Sequence, residues 1–153
     1  MRRKDKAILD PHTINKILTE SHICRLGLND VEYPYILPMN YGYQDHCLYF
    51  HCAVAGKKID LIEKNNKASF EIEYDSETIK DKVSCNWTTK YRSIMGFGEV
   101  EIIRDFNTKE AGLEIIMKQH GKTDNSFNKK MIDRVLILKL SITKLTAKQS
   151  GDW

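Results

Sequence analysis

No apolar run in this chain comes near the roughly 18 residues that a membrane span requires, so neither a spanning helix nor a membrane partner is expected. The opening segment MRRKDKAILD is charged and leads into no apolar stretch, so it is not read as a secretory signal. Neither sign of charge prevails: 24 Lys and Arg face 21 Asp and Glu, for a net +3, and the signs are mixed along the chain. Such mixing describes a solvated surface and argues against nucleic acid as a partner. Cysteine is sparse, at four (Cys24, Cys47, Cys52 and Cys85), and without a secretory segment these read as reduced thiols in the cytoplasm. No cysteine pair of zinc-knuckle spacing sits on a turn. The pairs His22/Cys24, His46/Cys47 and His51/Cys52 do not change this. Neighbours such as His51 and Cys52 point to opposite faces of a strand and cannot easily serve one ion, so no metal is expected. Nothing near any Cys-His pair marks a lowered thiol pKa. There is no internal repeat and no low-complexity linker.

What is present is an ordinary soluble composition, 41% hydrophobic and 29% charged, in a chain of 153 residues. That length favours one domain over residues 1–153, large enough to bury a core without disulfides or metal. DPHTINKILTES has the signals of a helix: Asp10 to cap it, Pro11 at its first position, and Ile14, Ile17 and Leu18 on one face. HICRLGLND reads as a strand, and VEYPYILPMNYGYQDHCLYFHC as two strands meeting near Tyr43 to His46. Pro34 and Pro38 cannot donate ladder hydrogen bonds, which suggests an edge or an irregular stretch where the sheet opens. KIDLIEKNN reads as a short helix. KASFEIEYD alternates, with Ala68, Phe70, Ile72 and Tyr74 inward and Ser69, Glu71 and Glu73 outward, as in an antiparallel sheet wetted on one side. DSETIKDKVSCNWTTK reads as a polar excursion and YRSIMGFGEVEIIRD as a strand. NTKEAGLEIIMKQHG reads as a helix capped by Asn107, with Leu113, Ile116 and Met117 facing the core and Gly121 at its end. DRVLILKLSITKLTAK is a long last strand. The order is one helix, three strands, a helix, two strands, a helix and one strand. This favours a mainly β, antiparallel barrel with peripheral helices over a parallel α/β sheet.

Three stretches bear on function. In LYFHCAVAGKKIDLIEKNN a strand feeds a short turn, and a helix begins near Gly56 and Lys57. A helix N-terminus offers unpaired backbone N–H groups and partial positive charge, and Lys57 and Lys58 add ammonium donors there. Lysines in a first turn oppose the helix dipole, which makes better sense if an anion sits above them. Two solvated surface lysines would look the same in sequence. GFGEVE holds Gly96 and Gly98 but lacks a third glycine, and a strand follows where a dinucleotide fingerprint needs a helix. PYILPMNYGY and NWTTKYRSIMGFG bring Asn40, Tyr41, Trp87, Tyr91, Arg92 and Ser93 onto or beside strands. Such groups suit a flat heteroaromatic ligand, and they are equally common in an ordinary sheet.

The segments PYILPMNYGY, LYFHCAVAGKKIDLI, YRSIMGFGEVEII and ITKLTAK together resemble the pyridoxamine 5'-phosphate oxidase-like flavin-binding split barrels, in the branch that includes nitroimidazole-resistance proteins. The resemblance runs from about Asp10 to Gly151. It implies a six-stranded antiparallel Greek-key split barrel, a homodimer, and FMN bound at the dimer interface. Carried over position by position, it implies that Pro38, Met39, Asn40 and Tyr41 line the flavin ring. Phe50 and His51 would sit by the ring and ribityl chain, Lys57 with Lys58 would hold the phosphate, and Ser93 with Arg92 would contact the flavin. A six-stranded barrel should be filled by its own side chains, so a flavin would lie outside it, where a second subunit can close the crevice.

The implied chemistry is that of an oxidoreductase. A nicotinamide nucleotide or another flavin system would deliver electrons, and a small acceptor, with nitro-aromatic compounds as one class, would receive them. His51 is the candidate proton source. Two other readings stand beside this one: a flavin or haem module that binds or senses without turnover, and an imidazole at His51 that only hydrogen-bonds the cofactor.

Overall fold

The computed structural model describes residues 3–153. After a short 3-10 turn come β1 (Ala7–Ile8), α1 (Pro11–Glu20), β2 (Ile23–Leu28), β3 (Tyr35–Asn40), β4 (Gly42–Gln44) and β5 (Cys47–Ala53). Then follow α2 (Lys57–Lys64), β6 (Lys67–Ile79), β7 (Thr88–Ile103), α3 (Phe106–Gln119), α4 (Lys129–Ile132) and β8 (Val135–Ser150). Every strand pairing is antiparallel, in one sheet of order β3-β2-β6-β7-β8-β5-β4, with β1 added beside β8. The six long strands expected are the body of this split barrel, and the short β1 and β4 bring the sheet to eight.

The local signals explain most boundaries. The Asp10 carboxylate accepts from the backbone N–H groups of His12 (3.3 Å) and Thr13 (2.9 Å), and Pro11 fills the first helical position of α1. α1 buries Ile17 and Leu18 against the barrel, and the Tyr41 hydroxyl donates to the Leu18 carbonyl at 2.8 Å. The inward residues of alternate strand positions form the main core. Leu26, Leu48, Phe50, Ile72, Ile94, Leu138 and Leu140 are all fully buried in it. Each such side chain stabilises by about 1.5–3 kcal/mol relative to exposure. Gly96 belongs to this face: a Cβ there would lie 2.4 Å from the Phe70 ring, so the missing side chain is what lets Phe70 pack across the barrel. β8 begins as a nearly continuous apolar run because both of its faces are covered there. Leu136, Leu138 and Leu140 face the barrel, while Ile137 packs under α3 with Ile103 and Ile116.

Three expectations need correction. α3 starts one residue earlier than its expected cap: Asp105, not Asn107, caps it, accepting from the Thr108 N–H (2.9 Å) and hydroxyl (2.6 Å). The short α4, capped by Asn128, was not anticipated. The stretch read as a polar excursion is largely a β-hairpin arm. Past an irregularity between Tyr74 and Glu77, the ladder resumes with Glu77 opposite Lys90 and Ile79 opposite Thr88. Among the described residues no helix is long and apolar enough to cross a membrane.

Candidate functional site

Strand alternation divides the expected ligand residues into two sets. Met39, Tyr41 and Phe50 are buried in the barrel, with the Tyr41 and Phe50 rings tilted 6.4 Å apart. Burial pushes the Tyr41 hydroxyl well above its ordinary value, so it stays protonated as the donor to Leu18. These three side chains serve the core, and only their backbone is free to line a ligand. Pro38, Asn40 and Ser93 belong to the opposite, outer face.

Register places the outer face in rows across the sheet. One row runs Pro38, Arg25, Glu71, Met95 and Thr146, and the next Ile36, Gly27, Ser69, Phe97 and Lys144. Asn40 stands opposite Ile23, and Ser93 stands between Glu73 and Lys148. Ile36, Met95 and Phe97 are 66%, 61% and 57% exposed, large values for residues in mid-sheet. They wall a groove of about 780 Å³ whose floor is the small pair Gly27 and Ser69. The Arg25–Glu71 ion pair, at 2.9 Å, closes one side of it.

The turn at Gly56 lies beyond the end of β5. Gly56 adopts φ +128°, a conformation that favours glycine, and no side chain caps α2. A Cβ on Gly56 would meet nothing within 4 Å, so the helix N-terminus opens outward. Lys57 is already engaged: its ammonium lies 2.7 Å from the Asp30 carboxylate and 5.1 Å from the centre of the Tyr35 ring. Hydrogen bonds from Lys57 and from the Val31 N–H hold the Asp30 carboxyl below the usual range. Lys58 makes no ion pair among the described residues.

His51 is exposed near the end of β5. His120, which ends α3, stacks on His22 with ring centroids 4.8 Å apart. Partial burial and the charge of His22 lower the His120 pKa. Arg92 and Ser93 point to opposite sides of β7. The Arg92 guanidinium bonds the Gln149 amide oxygen (3.2 Å) and lies 4.2 Å from the centre of the Trp153 ring, which also takes Lys90 at 4.4 Å. Arg92 therefore cannot join Ser93 against a ligand on the outer face without leaving Trp153.

The thiols do not form a reactive centre. Burial pushes the Cys24 thiol up to about 12 and raises Cys52 as well. Among the described residues no cluster of three or more His, Cys, Asp or Glu side chains could hold a metal ion. Sequence reasoning missed Asp30, Tyr35, His22, His120 and Trp153 as neighbours of the expected residues. All of these contacts join distant parts of the chain and leave no local pattern.

A mainly antiparallel split barrel with an uncovered outer face and a basic turn at its rim defines the class. The sequence model for pyridoxamine 5'-phosphate oxidase matches residues 10–149, and the chain belongs to that family. A search of curated proteins finds no match. Among solved structures, it is similar to a candidate 5-nitroimidazole antibiotic resistance protein from Bacteroides thetaiotaomicron. The two are 29% identical over 94% of this chain and 86% of that one, with a TM-score of 0.83. A flavocytochrome from Azotobacter vinelandii (19% identity, 99% and 72% covered, TM-score 0.83) shares the fold. So does an FAD- and haem-binding protein from Mycobacterium smegmatis (19%, 97% and 75%, TM-score 0.84).

Proposed function

We propose that this chain is a cytoplasmic FMN-binding flavoprotein, acting as a homodimer, that passes electrons to a small acceptor. Nitro-aromatic compounds are the acceptor class suggested by the Bacteroides protein to which it is similar. The observation that carries the reading is the outward-facing, uncapped start of α2, with Gly56, Lys57 and Lys58 together at the rim of the open sheet face. The residues fit the group: donors for a phosphate stand at one end, and an apolar sheet face with a few polar side chains lies alongside for a flat ring.

In this reading the backbone N–H groups of the first turn and the Lys57 and Lys58 ammonium groups hold the phosphate. Asp30 keeps Lys57 extended across the turn and yields part of its contact when a phosphate arrives. Asn40 and Ser93 offer hydrogen bonds from the outer face, and Pro38 offers a flat apolar contact. The barrel interior is filled by its own side chains, so the ring has to lie outside. A second copy laid over Ile36, Met95 and Phe97 would exclude water from it. FMN bound there would supply two-electron transfer from a nicotinamide nucleotide to the acceptor. In this reading His51, exposed on β5, would hold or deliver a proton.

The deciding experiment is identification of the pigment that copurifies, by absorption and by chromatography after denaturation, with the mass in solution measured by light scattering. A yellow dimer that releases FMN supports the reading. A colourless monomer that takes up no added FMN ends it. The stacked imidazoles of His22 and His120 are the observation that favours a haem-binding alternative, for which a Soret band is the signature.

A further inference from the structure

We propose that the cavity of about 540 Å³ between α1 and the β4–β5 turn is a second ligand site, which binds a small amphipathic anion: an apolar, preferably flat body carrying one carboxylate or similar group. Its volume is within the range of small-molecule sites, about 300–1,000 Å³.

The chemistry of the lining sets the ligand class. Ile14 and Leu18 from α1 and Ile142 and Leu145 from β8 supply apolar surface, and Tyr43, His46 and Lys144 stand around it. No carboxylate lines the cavity, and Lys144 and the His46 imidazole do. Asp45, on the turn, accepts from the Gln44 amide at 3.2 Å. The Tyr43 ring is half-buried, and burial is the main cause of its raised hydroxyl pKa. Among the described residues, neither the His46 imidazole nor the Lys144 ammonium hydrogen-bonds to a protein group. An apolar patch edged by a lysine and an imidazole and free of carboxylates suits an apolar anion better than a cation or a sugar.

The chain is locally constrained on both sides of this cavity. Asp45 and His46 have φ of +51° and +58°, which is what the two-residue hairpin turn between β4 and β5 requires, with Gln44 paired to Cys47. Opposite them, β8 is irregular where Thr143 falls between the Gly98–Ile142 and Phe97–Lys144 pairs. Such bulges re-aim side chains and recur beside sites. The His46 carbonyl accepts from the Ile142 N–H at 3.0 Å, joining the hairpin turn to the irregular part of β8. The α1 wall is fixed as well, since the Leu18 carbonyl accepts from both Tyr41 (2.8 Å) and Gln119 (3.0 Å). The site is thus formed before any ligand arrives. Along β5 it lies about 20 Å of strand from the Gly56 turn, and it borders the open-face groove at Thr143.

The test uses 2-naphthoate as the probe and the full chain labelled with nitrogen-15. Saturable amide shifts at residues 43–46 and 142–145 are expected. Affinity should weaken about fivefold for the neutral 2-naphthamide and for Lys144→Gln, the upper range of a single exposed charge contact. Lys57→Ala with Lys58→Ala should leave naphthoate binding unchanged, so the result does not depend on FMN. His46→Asn, which tolerates the left-handed turn, should weaken binding without unfolding. The proposal is overturned if no saturable shifts appear at millimolar probe, if they centre on the open sheet face or the Gly56 turn, or if Lys144→Gln binds as tightly as the parent.

Discussion

The two faces of β7 obey opposite rules. On one, Ile94 and Val100 are almost wholly buried; on the other, Met95 and Phe97, between them in sequence, are more than half exposed. The inner face explains the fold: its residues fill the barrel, and a glycine appears where Phe70 leaves no room. The outer face explains nothing about the stability of one chain. Large apolar side chains set out in mid-sheet beside a small-residue floor make sense as surface awaiting a cover. Removing inner residues should therefore cost stability, and altering outer ones should cost assembly.

The largest effect expected is on the inner face. Phe50→Ala should destabilise the chain by about 3–5 kcal/mol, read by urea unfolding, whereas Met95→Ala measured under dissociating dilution should shift it by less than about 0.5 kcal/mol. Equal costs would remove the distinction between the faces. Next, Phe97→Lys should leave the circular dichroism of the folded chain intact while light scattering shows monomer and the flavin is lost. A Phe97→Lys protein that stays dimeric would place the interface elsewhere. Smaller again is the change at the rim. Lys57→Ala with Lys58→Ala should lower FMN affinity by tenfold or more with little change in the melting of the FMN-free chain, since charge-assisted contacts to phosphate are the stronger kind. Undiminished FMN retention would leave the Gly56 turn without its proposed role.

Much of this division was legible in the sequence. The alternation from Ala68 to Tyr74 marked one wet face, and Asp10 with Pro11 marked α1. The same period of two, applied to PMNY, separates Pro38 and Asn40 from Met39 and Tyr41. The family resemblance treats that segment as a unit, so the separation emerges only when the strand is seen paired. The arm formed by the ends of β6 and β7 was hidden because both its faces are wet, which leaves no apolar alternation to find. Asn107 has the chemistry of a cap but sits inside the first turn of α3, where the Asp105 carboxylate already accepts from the Thr108 N–H. The engagement of Lys57 by Asp30, and of Arg92 by Trp153, depends on loops folding back over distances that no local pattern encodes.

The smallest effect concerns the helix caps, which belong to neither face and so serve as a control on the comparison. The Asp10 carboxyl is held below its ordinary value chiefly by the Thr13 hydroxyl and N–H, and Asp105 likewise by Thr108. A carboxyl whose pKa is lower in the folded chain contributes stability above its unfolded value, near 3.9, and loses it as pH falls through the folded value. Asp10→Asn should therefore melt slightly below the parent at neutral pH, and the gap should close as pH drops below about 4. Because α1 rests on the barrel and not on the open face, this variant should leave dimer mass and FMN affinity untouched. A loss of either would mean that α1 takes part in the interface, and the uncovered face would then have to be drawn to include it.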